Sequence, residues 1–393
     1  MRPLGLVLLL ATGFCLYTYV GYPAILKLLS LRNRVPKPRR GGRLSHLPRI
    51  SIVLPVFNEA AVITATLERL LAIDYPADRR QILVVSDAST DGTDEIVARY
   101  APRGVELLRL SRRQGKTAAE NAARPLLTGE IIINTDASVR VDPAAIKALV
   151  AAFDDDSVGV ASGRDVSVSS LATQANRGEG AYVGYEMWVR DLETAVDGIV
   201  GASGCLYAIR AALHMRPLRE DLSRDFAAAL TAREHGLRAV SVPQAICYVP
   251  RGRSLHHEYR RKVRTITRGL ATLAHKRALL NPMRYGAFAW MLFSHKVCRW
   301  LLPWGLLIAL AALAGVAFTS VWARALWALC GAGGVLAAIG WLWPQGKAPP
   351  RLLAVPGYLA AGNVAVLHAW VRVFAGRTAP VWEPTRRDVL PSA

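Results

Sequence analysis

Two apolar blocks at opposite ends of the chain limit what it can fold into. Pro3–Leu26 carries no charge and is about 24 residues long, enough at ~1.5 Å per residue to cross a ~30 Å hydrocarbon core. A second block begins near Tyr285, where Leu301–Ser320, Val321–Trp343 and Leu352–Trp370 are each long enough to span. A secretory signal peptide competes for the first stretch, but the run is long and lacks a small-x-small cleavage site, so it reads as an anchor. Between the blocks, from Arg49 to Pro282, charged and apolar residues mix as in a water-facing domain of roughly 230 residues, a size one core can serve.

The net charge of +20 first suggests a nucleic-acid partner, but its distribution argues against one. Leu26–Ile50 holds eight Lys and Arg and no acid directly after the first span, and Arg251–Arg284 is similarly basic before the next. Positive charge beside spans marks the cytoplasmic side, which puts the central domain in the cytoplasm of a multi-pass inner-membrane protein with its N-terminus outside. Anionic lipid headgroups are the expected partner of those runs. The five cysteines form no CxxC pair, so neither a zinc site nor a disulfide framework is indicated.

Inside the central segment, strand-like runs alternate with helical ones. Arg49–Pro55, Gln81–Ser86, Val105–Leu110 and the run from Ile131 that ends at Asp136 read as strands, with Asn58 a candidate cap for a helix over Glu59–Leu71 and Thr90 or Asp91 for one ending at Tyr100. Strands alternating with helices imply parallel pairing, with ligands gathered beyond the C-terminal strand ends. Glu59, Asp87 and Asp136 each follow a different strand, so folding should bring them to one crevice. A single Asp there is ordinarily a turn former; three at corresponding ends point to a site.

The runs Pro55–Glu59 (PVFNE), Ser86–Thr93 (SDASTDGT), Gly115–Ala123 (GKTAAENAA), Thr135–Ser138 (TDAS) and Ser223–Phe226 (SRDF) resemble, in order, the signature of the family 2 glycosyltransferases. The likeness runs from about Ile50 to Gly269. The flanking spans and Trp382–Arg386 resemble the membrane-integrated subgroup that includes hyaluronan, chitin-oligosaccharide and cellulose synthases. The resemblance implies an α/β, GT-A type (Rossmann-like), mostly parallel sheet domain inserted between transmembrane helices. The chain then divides into a transmembrane helix (1–26), a basic linker (27–48), a GT-A domain (49–250), basic amphipathic interface helices (251–299), about three transmembrane segments (300–375) and a tail (376–393). Tyr285–Trp300 reads as an in-plane interfacial helix.

By resemblance, such a chain moves a sugar from a nucleotide sugar, expected to be UDP-linked, to a lipid-linked or polysaccharide acceptor, with inversion. Asp87 would accept from the uracil ring N–H, since a carboxylate only accepts, with Glu59 or the backbone near Pro55 against the nucleoside. Lys116 would face the diphosphate, or else be a solvated lysine on a turn. Asp136 would hold Mg²⁺ or Mn²⁺, hard ions that take oxygen ligands; the usual Asp-x-Asp is here Asp-x-Ser, with Ser138 binding directly or through water.

Asp225 matches the general base or, more plainly, belongs to a helix start, and Arg224 beside it would weaken it as a base. Gly201–Gly204 resembles the small-residue segment on the acceptor side. Trp188 is placed to stack on an acceptor sugar or simply to be core. The Gln-x-x-Arg-Trp of polymer-forming relatives is here Arg261–Thr265, keeping only Arg264, with Arg261 for Gln; this argues against processive polymerisation. A degenerate scaffold or export subunit, or an export or assembly partner for an active enzyme, is the competing expectation.

Overall fold

The computed structural model describes residues 3–32, 47–168, 174–250, 255–344 and 349–377, with the backbone alone over 174–181. Most of the basic 27–48 linker and the Trp382–Arg386 run lie outside the described residues. The strands are β1 (Ile50–Val56), β2 (Arg80–Ser86), β3 (Val105–Arg109), β4 (Ile131–Thr135), β5 (Arg140–Val141), β6 (Val158–Val168), β7 (Leu206–Arg210) and β8 (Arg238–Pro250). The longer helices are α1 (Pro3–Leu16), α2 (Tyr22–Arg32), α3 (Ala60–Leu71), α4 (Thr93–Ala98), α5 (Lys116–Ala123), α6 (Ala145–Ala151), α7 (Gln174–Val196), α8 (Ala211–His214), α9 (Arg224–Glu234), α10 (Leu255–His275), α11 (Pro282–Leu292), α12 (Cys298–Ala317), α13 (Val321–Leu342) and α14 (Arg351–Phe374).

One sheet of order β3-β2-β1-β4-β7-β6-β8-β5 organises the central domain. β3, β2, β1 and β4 are parallel neighbours, while β7 enters antiparallel between β4 and β6. β1 and β4 are buried along their whole length, which is why both read as unbroken β-branched and apolar runs. The chain reverses its winding between β1 and β4, and that switch point opens the crevice into which the strand ends deliver Glu59, Asp87 and Asp136.

The caps differ from the sequence reading. Asn58 adopts φ +53° and passes its Oδ1 to the Thr90 amide at 2.8 Å instead of capping α3. Asp91 serves both helices, accepting from Ala60 N–H at 3.0 Å through Oδ2 and from Thr93 N–H at 3.1 Å through Oδ1. A cap supplied from another loop has no local spacing by which a sequence could announce it.

Four helices are long and apolar enough to cross a membrane: Pro3–Arg32, Pro282–Ala317, Val321–Leu342 and Arg351–Phe374. The second contains Tyr285–Trp300, the stretch expected to lie in the membrane plane. Beyond a kink at Gly286 (φ 49°, ψ −126°), α11 runs through a π turn into α12 as one rod. From Ala287 to Ala317 this rod is about 46 Å long, roughly one and a half times a ~30 Å hydrocarbon core. Its first half packs on the sheet domain, with Phe288, Met291 and Leu292 buried among Tyr22, Leu26, Val189 and Phe226.

The polar residues that made this stretch look interfacial face buried acids. His295 Nδ1 meets Glu193 at 2.5 Å, its Nε2 meets Glu186 at 3.1 Å, Arg299 pairs with Glu186, and Tyr22 donates to Glu193 at 2.6 Å. Glu193 is fully buried, so α2, α7 and the long helix share one carboxylate whose removal would strand its partners.

Gly129 lets α5 return to β4 at close quarters: a Cβ there would lie 2.4 Å from Ser51 N and 2.5 Å from the Ile50 carbonyl carbon. Gly129→Ala is therefore expected to destabilise the domain by about 1–3 kcal/mol, the usual scale of overpacking, read as a lowered thermal midpoint of the protein in detergent. Gly184→Ala, where a Cβ meets nothing within 4 Å, is the control and should leave the midpoint unchanged or raised.

Candidate active site

The site is built outward from β4. Its apolar run ends at Thr135, whose hydroxyl donates to Cys205 O at 3.0 Å and so fixes the strand end against the Gly201–Gly204 segment. Asp136 is the first residue past the strand. Its Oδ1 meets Lys116 Nζ at 2.5 Å, and the same ammonium lies 3.4 Å from Gly204 O. About a fifth of each side chain of the pair is exposed, so the pair faces the crevice.

Lys116 is delivered by a loop that Asp87 holds. The Asp87 carboxylate accepts from Gln114 N–H at 2.7 Å and Gly115 N–H at 2.8 Å, and the residue is 1% exposed. Gly115 stands at φ +99°, a conformation that favours glycine, and Lys116 opens α5 immediately after it. Asp87 thereby shapes the Gln114–Lys116 turn, and each of its oxygens, taking one amide, keeps a further lone pair for another donor. Alongside, the Arg113 guanidinium lies over the Phe57 ring at 3.9 Å.

Asp225 reaches the crevice from the other side. Ser223 is the N-cap residue of α9 and its hydroxyl donates to Asp225 Oδ1 at 2.6 Å. Asp225 Oδ2 lies 3.0 Å from where a Cβ on Gly204 would stand, so only a glycine leaves that oxygen its place. Arg224, beside it in sequence, has partners of its own. Its Nε pairs with the fully buried Glu120 at 2.8 Å and its Nη2 with Asn121.

Burial drives the Glu120 carboxyl upward against the pull of Lys116 and Arg224. Burial works against the Lys116 ammonium, but Asp136 first and Glu120 next outweigh it and hold its pKa above the ordinary lysine value. Lys116 therefore stays cationic at neutral pH.

The remaining sequence candidates spread around this centre. Pro55 lies in buried β1, Glu59 at the N-cap of α3, and Ser138 two residues past Asp136. Arg261 pairs with Glu258 of its own helix at 2.7 Å, and Arg264 lies one turn on. The α10 arginine that reaches the site is one the sequence reading passed over: Arg268 donates to Thr117 at 2.6 Å and to Leu222 O, bracing the segment that carries Asp225. Its spacing of four from Arg264 was the available signal. Glu120 was missed as well, being one acid in a run read as a plain helix. Trp188 is 43% exposed, its ring 6.0 Å from that of Tyr185.

Removing the Asp87 carboxylate leaves two loop amides without their acceptor, at about 1–3 kcal/mol. Asp87→Ala is expected to lower the thermal midpoint and to make the Gln114 and Gly115 amides exchange with deuterated water faster than in the parent protein, measured by hydrogen-exchange mass spectrometry.

Comparison with known proteins agrees with this layout. Residues 51–204 match the model of "Glycosyl transferase family 2". A beta-monoglucosyldiacylglycerol synthase of Nostoc sp. is 30% identical over 158 residues, 39% of this chain and 34% of that protein. A dodecaprenyl-phosphate galacturonate synthase of Rhizobium johnstonii is 32% identical over 106 residues, 26% of this chain and 31% of that one. The chain thus spans about a third of the length of these curated relatives. Among solved structures, the mannosyltransferase PcManGT of Pyrobaculum calidifontis, in complex with GDP-Man and Mn²⁺, superposes with a TM-score of 0.73 at 23% identity, covering 94% of this chain and 99% of that one, and shows the fold. The segment that carries Asp87, Lys116, Asp136 and Gly204 is thus the part of the chain that is similar to glycosyl transferase family 2.

Proposed function

We propose that the protein is a membrane-embedded, inverting glycosyltransferase that moves a sugar from a nucleoside-diphosphate sugar to an acceptor at the cytoplasmic membrane face. The observation that carries this reading is the meeting of Lys116, Asp136, Gly204 and Asp225 at one crevice, a cation facing a carboxylate across a bare glycine. Lys116 neutralises charge on the departing diphosphate. The Asp225 carboxylate takes the proton of the acceptor hydroxyl as that oxygen bonds the anomeric carbon and the bond to the diphosphate breaks. Attack from the face opposite the leaving group inverts the centre.

The donor set suits a hard divalent ion. Asp136 and Ser138 offer oxygen alone, and Mg²⁺ ordinarily needs only one or two carboxylates, with phosphates and waters completing its shell. No group of three or more His, Cys, Asp or Glu able to hold a metal occurs among the described residues, so most ligands would come from the diphosphate. Such an ion would supply further charge stabilisation to the leaving group. The structural relative is a complex with GDP-Man and Mn²⁺, and the curated relatives are synthases of monoglucosyldiacylglycerol and of dodecaprenyl-phosphate galacturonate. These support a divalent ion, a nucleotide sugar and a lipid acceptor; the uridine expectation rests on the family signature.

Membrane topology follows from α10 and α14. Lys262 lies 3.9 Å over the Tyr358 ring and the Tyr259 hydroxyl meets His368 Nδ1 at 2.9 Å, so α14 lies along the polar α10 over much of its length. Were α14 a span, those charged and polar groups of α10 would stand in hydrocarbon, which is costly. In our reading α14 lies along the cytoplasmic interface. The single N-terminal helix, the α11–α12 rod and α13 cross, and Arg372 and Arg377 stay inside, as positive charge prefers.

Transfer or slow hydrolysis is expected from one member of a panel of nucleotide sugars given to the purified protein in lipid. Asp225→Asn should reduce it by about 10²–10⁴-fold, the usual worth of a positioned base, and chelation of divalent ions should lower it further. Activity undiminished in Asp225→Asn contradicts the assignment. For topology, a reporter fused to the C-terminus should be active in the cytoplasm and silent outside.

A further inference from the structure

The acceptor side carries positive charge that the reaction described above does not use. Lys296 sits in the π turn between α11 and α12, its Nζ 5.4 Å over the ring of Phe226, the residue after Asp225. A Cβ added to Gly201 would lie 3.5 Å from its Cε and Nζ. Among the described residues this ammonium has no hydrogen bond and no carboxylate within ion-pair distance. Nearby Arg190 reaches Ala202 O at 3.4 Å with Nη2, while its Nη1 is buried without a hydrogen-bond partner. Arg299 gives Nη1 to Glu186, and its Nε and Nη2 are likewise buried and unsatisfied.

The acids of this neighbourhood act on Lys296 only from beyond ion-pair distance. Glu186 is taken by Arg299 and His295, and Glu193 by His295 and Tyr22. An unpaired cation and unsatisfied guanidinium atoms next to a wall of small residues are costly to keep unless a ligand completes them. The level of the site in the membrane indicates which ligand. Two turns beyond Lys296 the same helix turns apolar and exposed, with Trp304, Leu307 and Ile308 facing outward. Lys296 thus stands where a headgroup would lie beside the hydrocarbon.

We propose that Lys296, with Arg190 beside it, receives the negative charge of a phosphate-bearing lipid acceptor, aligning the acceptor's hydroxyl, whose proton Asp225 takes, along Gly201–Gly204. This rests on the glycosyl-transfer reading and narrows its acceptor to an anionic lipid. Lys296 is in this view a specificity-determining residue, and neutral glycolipid or soluble sugar acceptors would lack its partner.

The test uses the full chain in phosphatidylcholine nanodiscs, titrated with dodecyl phosphate, dodecanol and inorganic phosphate and followed by tryptophan fluorescence, since Trp300 packs edge-on against Phe226 at 6.1 Å. Dodecyl phosphate should bind at least about tenfold more tightly than either other probe. Lys296→Gln should lose about tenfold for dodecyl phosphate, the scale of one charge-assisted hydrogen bond, while Lys296→Arg keeps most of the affinity. Equal binding of dodecyl phosphate by Lys296→Gln and the parent overturns the proposal, as does dodecanol or inorganic phosphate binding as tightly as dodecyl phosphate. UDP and GDP binding is measured in the same samples. If it is retained in Lys296→Gln, the variant is folded; if it is absent from the parent while dodecyl phosphate still binds, the glycosyl-transfer reading fails and the anion site stands.

Discussion

The crevice depends on one buried carboxylate. Asp87 takes the Gln114 and Gly115 amides into its two oxygens, and that fixes a turn only glycine readily makes. The turn sets the start of α5, and the start of α5 aims Lys116 at Asp136. Without this hold, a lysine on a surface turn would sample many rotamers and lose entropy each time it met an anion. With it, the cation stands ready before any ligand arrives, the kind of preorganisation that makes electrostatic stabilisation effective.

The Asp136–Lys116 pair accounts for the departure from the family's Asp-x-Asp. With Ser138 at the third position the protein supplies one carboxylate where two are usual, and Lys116 already neutralises that one. On the reading proposed above, a site of this balance would lean on its donor's phosphates to retain a divalent ion. Arg224 follows the same logic of pairing. Where the family has an acid next to its base, this chain has a cation, but Glu120 takes it up inside the protein at 2.8 Å. The substitution at 224 and the acid at 120 are one feature, and they leave Asp225 with Ser223 as its hydrogen-bond partner.

How much of this was legible beforehand divides along a physical line. β1, β2 and β4 were readable because burial demands apolar runs, and those runs also fixed where Glu59, Asp87 and Asp136 emerge. Local patterns failed where a partner came from far along the chain. Asn58 looked like a helix cap, yet Asp91 serves α3 from a different loop. Asp87 was read as an acid facing the nucleotide, and its carboxylate also accepts from amides 27 and 28 residues on, a partnership that no local spacing announces.

His295, Lys296 and Arg299 gave Tyr285–Trp300 the look of a helix lying on lipid. Two of the three instead face Glu186 and Glu193 of α7, and nothing in the spacing of the acids pointed to that. Arg268 was hidden among basic neighbours on α10 until the fold set it against Thr117 and Leu222.

The account's central claim is that a nucleoside-diphosphate sugar lies across the end of β4 with its diphosphate on Lys116. The most direct measurement is a cryo-electron microscopy map of the full chain in nanodiscs, with a saturating nucleotide sugar and Mn²⁺. The account predicts diphosphate density in contact with the Lys116 ammonium, Asp136 beside it, and the sugar facing Asp225 across Gly204. An empty crevice at saturating donor, or a nucleotide bound elsewhere on the sheet domain, would contradict it.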